Sequence, residues 1–152
     1  MICDATSIEK YIDKSPNIFF TYGPEIILRN NSTDTINNFF KGKNFTEKKI
    51  ITENDFSKIE QIIVENAGGS LFGSKTIIEI IHNGGKIPKE IMSIFDINEI
   101  NKFENIVISI RSSIEKINKS TKWVKLMDKY SLIIECNKPV SYTHLTLPTN
   151  CV

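Results

Sequence analysis

The chain has 152 residues, enough for one domain around one hydrophobic core. Hydrophobic residues make up 40% and charged residues 24%, which excludes a disordered or fibrous chain. The formal net charge is +1, with lysines interleaved among acids, which argues against strong sequence-independent nucleic-acid binding by this chain alone.

Thr6-Ser7-Ile8-Glu9 reads as a capping box, with Ile8, Tyr11 and Ile12 at helical spacing behind it. The spacing predicts a short helix to about Lys14, stopped by Pro16. Asn17 to Tyr22 is a continuous apolar run and predicts a buried strand. Gly23-Pro24-Glu25 turns the chain, and Pro24 suits the first position of a helix that continues to Phe40 and ends at Gly42. Lys48 to Thr52 reads as a strand, followed by a helix capped at Asn54 or Asp55 with Phe56, Ile59, Ile62 and Ile63 on one face. Gly68-Gly69 ends it. Lys75 to His82 is the next strand, Asn83-Gly84-Gly85 a turn, and Pro88 opens a helix through Ile91, Ile94 and Phe95. Asn105 to Ile110 and Ser131 to Cys136 are the last two strands, separated by a helix capped at Ser120 or Thr121. Strands alternate with helices, and several strands are apolar along their whole length. The pattern predicts an α/β domain over residues 1–139, a three-layer body on a mainly parallel five-stranded sheet with right-handed crossovers.

After Pro139 the character changes. Val140 to Thr149 lacks periodicity and the heavy Ile, Asn and Lys usage of the rest. Reading GTC TCT TAT ACA CAT CTG ACG CTG CCG ACG in frame gives those residues in order, the pattern of a translated transposon-end sequencing adapter. Residues 140–152 are therefore expected to be a non-native tail, the domain a fragment of a longer protein, and His144 and Cys151 irrelevant to any site. No apolar run spans a bilayer, and Met1-Ile2-Cys3-Asp4 lacks signal-peptide character, so the expected location is the cytoplasm with no membrane contact. Cys3, Cys136 and Cys151 form no Cys-x-x-Cys pair, which leaves no zinc or redox motif.

Gly68 to Thr76 imitates a phosphate-binding loop, but Ser74 separates Gly73 from Lys75, and a helix leads in where a strand should. Where such a loop belongs, after the first long strand, Pro24 removes an amide donor and Glu25 repels phosphate. No cofactor is therefore expected, although a small nucleotide-binding, P-loop-like ATPase using Gly68 to Thr76 remains the alternative. Catalytic residues are not indicated. His82 reads as a solvent-exposed strand-end histidine, and Asp96, Glu99 and Glu104 as a solvated face. Ser112-Ser113 follows the fourth strand, an edge that can hold a sensor residue in ATP-driven proteins, but without a phosphate site that role lapses; Trp123 with Leu126 and Met127 reads as core. Leu71 and Phe72, apolar and flanked by glycines outside any periodic pattern, read as an anchor for a partner protein, with an inward-folded plug as the other reading.

Several segments carry a family resemblance: Phe19-Phe20-Thr21-Tyr22-Gly23-Pro24-Glu25, Ser70-Leu71-Phe72-Gly73 leading into Lys75-Thr76-Ile77-Ile78, Lys119 to Leu126, and Leu132 to Cys136. In this order they resemble the amino-terminal domain of the delta subunit of the bacterial DNA polymerase III clamp loader. Pro24 departs from the family pattern at the turn. The resemblance implies an AAA+-like fold without a functional Walker A loop, and no catalysis by this chain itself. It implies that Leu71 and Phe72, shaped by Ser70 and Gly73, enter a pocket on the sliding clamp and help open it for loading onto primed DNA. Other clamp-loader subunits would be met through missing carboxy-terminal domains, and DNA only indirectly.

Overall fold

The computed structural model describes residues 1–14, 17–67 and 75–137. Residues 15–16, 68–74 and 138–152 lie outside the described residues, and so do the expectations placed on them.

The framework is a six-stranded sheet. Its strands are β1 (Ile2–Asp4), β2 (Ile18–Tyr22), β3 (Phe45–Ile51), β4 (Lys75–His82), β5 (Ile106–Ser112) and β6 (Leu132–Glu135), in spatial order β1-β6-β2-β5-β4-β3. Every pairing is parallel. The central strands are buried on both faces: all five residues of β2 are buried, and β4 and β5 are nearly so. The expected count of five strands is corrected to six by β1. Three residues carry no readable periodicity, and β1 forms only because β6 supplies its partner edge.

The helices are α1 (Ile8–Tyr11), α2 (Ile26–Lys41), α3 (Ile59–Ala67), α4 (Lys89–Met92) and α5 (Lys122–Tyr130). They lie in two layers. On one face of the sheet, Ile18, Phe20, Ile78, Ile80, Ile108 and Ile133 pack against Ile59 and Ile63 of α3, Ile91 of α4, and Val124 and Met127 of α5. On the other, Phe19, Ile77, Val107, Leu132 and Ile134 meet Ile8 of α1, Ile12 in the 3-10 turn after it and Ile36 of α2. Strand alternation sends neighbouring residues of β2 to opposite cores. Each fully buried large side chain contributes about 1.5–3 kcal/mol. Trp123 meets Phe20 edge to face, ring centres 6.1 Å apart, as core rather than as a platform.

Local details differ from the periodic reading. Ser7 makes no side-chain cap, and Thr6 instead donates its amide (2.9 Å) and hydroxyl (2.5 Å) to Asp4 Oδ1. The helix expected from Asn54 begins as a 3-10 turn, Glu53–Lys58, after Thr52, and becomes α3 only at Ile59. The helix expected through Phe95 is a single α turn continued by a 3-10 turn, Ser93–Asp96. β3 starts at Phe45 and exposes five consecutive residues because it is the sheet's edge.

Candidate functional site

The expected anchor residues Ser70, Leu71, Phe72 and Gly73 lie outside the described residues. Their frame does not. The segment leaves from Ala67 at the end of α3 and re-enters at Lys75, the first residue of β4. Since every strand pairing is parallel, this is the edge where strands start. One residue ties the two ends. The Asn105 side chain donates to the Asn66 carbonyl (3.3 Å), and its own carbonyl accepts the Thr76 amide (2.9 Å). Nearby, the side-chain amide of Asn17 is shared among the carbonyls of Ile100, Phe103 and Ile106 at 3.1–3.3 Å, fixing the approach to β5. Sequence reading missed both asparagines, because a lone Asn before a strand carries no periodic signal.

At the opposite edge, β2 runs into α2 through Gly23-Pro24-Glu25. A phosphate loop in that position needs free amides. Here the Gly23 amide donates to the Ile114 carbonyl (2.8 Å) and the Glu25 amide to the Cys136 carbonyl (3.1 Å). Pro24 has no amide hydrogen. Gly23 has φ +131°, and a Cβ there would lie 2.4 Å from the Cys136 oxygen. The turn is thus filled by the segments following β5 and β6. Arg29, one turn into α2, donates to the Ser112 carbonyl (3.1 Å) instead of pointing to an anion. Lys75 and Thr76 of the other candidate loop begin a strand, not a helix, so they project to opposite faces. The Lys75 ammonium sits 5.4 Å from the Phe45 ring centre.

His82 is not solvent-exposed: it is 2% exposed, and this corrects the reading of a surface histidine. The turn after β4 folds back so that the Lys86 carbonyl meets Nε2 at 2.9 Å, while Nδ1 lies 2.9 Å from Ser112 Oγ. A carbonyl only accepts, so Nε2 carries the proton and Nδ1 accepts the Ser112 hydroxyl. That hydroxyl also accepts the Ile114 amide at 3.2 Å. Burial lowers the histidine's pKa below 6.5, outweighing the Lys86 carbonyl and the Glu53 charge that favour the imidazolium. The pair has a hydroxyl–imidazole geometry, but both residues are buried and hold backbone together.

The thiols are buried too. Burial first, then the Asp4 charge, pushes Cys3 up to about 11, and burial raises Cys136. Tyr22 is raised by burial and by its hydrogen bond to Glu135. Glu135 also pairs with Lys119 at 3.1 Å across a shallow depression lined by Cys3, Asp4 and Ser7. Among the described residues no group of three His, Cys, Asp or Glu side chains could hold a metal ion. No helix among them is long and apolar enough to cross a membrane.

No protein-family model matches the chain, and no curated protein sequence does. Solved structures do. The chain is similar to the DNA clamp loader delta protein of Bacillus subtilis, with a TM-score of 0.64 and 16% identity, over 91% of this chain and 44% of that one. It is similar to Rhizobiales Trip13 with a TM-score of 0.55 and 11% identity, covering 96% of this chain and 57% of that one. Saccharomyces cerevisiae Rif2 gives 0.51 and 12%, covering 90% and 54%. The chain therefore spans less than two thirds of the length of each. At these identities the likeness is one of fold: this is an α/β domain on a parallel sheet, folded like part of the clamp loader delta protein and of Trip13.

Proposed function

We propose that residues 1–139 are the clamp-binding domain of a delta-type clamp-loader subunit, and that residues 140–152 are no part of it. In this reading the domain binds a sliding clamp through Leu71 and Phe72, with Ser70 and Gly73 shaping the approach. It helps open the clamp for loading onto primed DNA, while sister subunits hydrolyse ATP. It belongs to a DNA polymerase III holoenzyme without catalysing anything itself. It meets the other loader subunits through domains beyond this chain. The observation that carries the reading is the blocked turn at Gly23. An AAA+-like body whose phosphate position is packed with its own backbone suits a subunit that works by binding. The fold likeness to a clamp loader delta protein supports the same direction. Two apolar anchors entering one pocket would form a hot spot, at about 1.5–3 kcal/mol each.

The test measures binding to the sliding clamp encoded in the same genome. The wild-type chain should bind, and Leu71→Ala/Phe72→Ala should bind at least 100-fold more weakly with its urea midpoint unchanged. No clamp binding by the wild type, or a double variant that loses several kcal/mol of stability as a buried plug would, overturns the reading. An uninterrupted genomic frame encoding Val140 to Val152 would separately refute the boundary at residue 139.

A further inference from the structure

We propose that the free edge of the sheet at β3 pairs with β3 of a second copy of this chain, antiparallel about Lys48, to form a weak symmetric dimer. The inference does not depend on clamp binding. β3 is paired on one side only, to β4, and its residues from Thr46 to Ile50 are all exposed. An edge of seven residues offers a row of unpaired amides and carbonyls to another strand. The opposite edge, β1, has three residues and offers far less.

Charge selects both the partner and the register. Strand alternation puts Glu47 and Lys49 on one face of the sheet and Lys48 and Ile50 on the other. Two copies related by a two-fold axis perpendicular to the sheet keep their faces aligned, and residues directly opposite each other share a face. The axis therefore passes through a residue rather than between two. Centred on Glu47, it sets that carboxylate against its own copy. Centred on Lys49, it sets two ammoniums against each other. Like charges directly opposite are destabilising, so both registers are disfavoured. Centred on Lys48, it sets Glu47 of each copy against Lys49 of the other, twice.

The residue on the axis fits this register. Lys48 would face its own copy, but its ammonium already lies 3.8 Å from the carboxylate of Glu79, whose side chain is only 6% exposed. Each lysine is thus drawn back over its own sheet and its charge is offset there. Glu47 and Lys49 have no ion-pair partner among the described residues, so each is free to take one across the axis. Ile50, an exposed large hydrophobic residue, comes to lie beside Thr46 of the other copy. Edge lysines ordinarily keep strands apart. Here they repel in the wrong registers and attract in one. The irregularity between Phe45 and Glu47 ends the regular ladder, which keeps the pairing short. A contact well below about 1,200 Å² is weak, so Kd is expected at about 10⁻⁴ M.

The test is sedimentation velocity of the full chain over a concentration series at low salt. The wild type should dimerise. E47K and K49E should each weaken dimerisation at least tenfold with an unchanged circular dichroism spectrum, because each sets like charges across both pairs. The double variant E47K/K49E, which restores opposite charges, should dimerise like wild type. An equimolar mixture of E47K and K49E should form a heterodimer, since every cross-strand pair then joins an acid to a base. The proposal is overturned by a wild type that stays monomeric, by single variants that dimerise like wild type, or by a mixture that associates no better than its separate components. A dimer that survives E47K but is lost in I26S/I27S would assign the contact to the exposed pair at the start of α2 and overturn it too.

Discussion

Gly23 and Cys136 stand so close that a Cβ on Gly23 would lie 2.4 Å from the Cys136 carbonyl oxygen and 2.6 Å from its carbonyl carbon. The obstacle is backbone at the end of β6, which cannot swing aside, and the φ of +131° disfavours any side chain there. Gly23→Ala must push β2 and β6 apart at the very place where the Cys136 amide bonds to the Tyr22 carbonyl at 2.7 Å. The expected cost is about 3 kcal/mol or more, read as a lowered urea midpoint. Gly85→Ala is the control: nothing lies within 4 Å of its Cβ position. It should stay within about 0.5 kcal/mol of wild type. Equal midpoints for the two variants would show that the turn is not packed as described.

Asn105 holds the two ends of the segment from Gly68 to Ser74 together. Only one of its two bonds uses the side chain, the 3.3 Å contact to the Asn66 carbonyl. Asn105→Ala should therefore cost about 1 kcal/mol. The Thr76 amide, bonded to the Asn105 backbone, should keep its hydrogen-exchange protection relative to the rest of β4. A loss of protection confined to Thr76 would mean that the side chain also fixes the backbone bond.

Much of the layered architecture was legible because it rests on local signals. β4 runs over the same residues, Lys75 to His82, that its apolar run and the flanking turn imply. α2 ends at the glycine expected to end it, and Trp123 is core as its neighbours suggest. What escaped depends on contacts distant in sequence. β1 exists because β6 pairs with it from some 130 residues away. His82 looked exposed because its partner Ser112 lies 30 residues away and residue types alone do not show the turn folding back to bring the Lys86 carbonyl onto it. The Gly23 turn showed from sequence only that Pro24 and Glu25 disfavour phosphate. That its amides are taken by Ile114 and Cys136 needed the fold. The anchor residues Leu71 and Phe72 fall outside the described residues, so for them the sequence reading stands as a proposal.

His82 should make stability pH-dependent with a definite sign. Its folded pKa lies below 6.5 because burial disfavours the charged form. Below the unfolded value the unfolded chain binds the extra proton and the folded chain does not, so stability falls as pH drops through 6.5. Above that value the contribution is complete and flat. Glu53 opposes the shift without reversing it. His82→Gln, which cannot take up a proton, should be less stable at neutral pH by about 1–3 kcal/mol for the buried bonds it leaves unmade. The difference from wild type should narrow as pH falls below 6.5. A constant difference between acidic and neutral pH would mean that His82 does not titrate in this window.

The rival reading, a nucleotide-binding loop at Gly68 to Thr76, makes the opposite prediction for ATP. Ligand binding to the native state stabilises by about 2.7 kcal/mol at a hundred times Kd. A true phosphate lysine would supply much of that affinity. In this fold Lys75 begins a strand and its ammonium lies over the Phe45 ring, 5.4 Å from the centre. Lys75→Ala should lose only that cation–π contact, about 0.5–1 kcal/mol at such a site. ATP with magnesium should leave the unfolding temperature of both wild type and variant unchanged, because the amides that could receive phosphate at the Gly23 turn are already bonded. A rise in unfolding temperature at micromolar ATP that disappears in Lys75→Ala would place the nucleotide on the loop before β4 and remove the ground for a purely binding role.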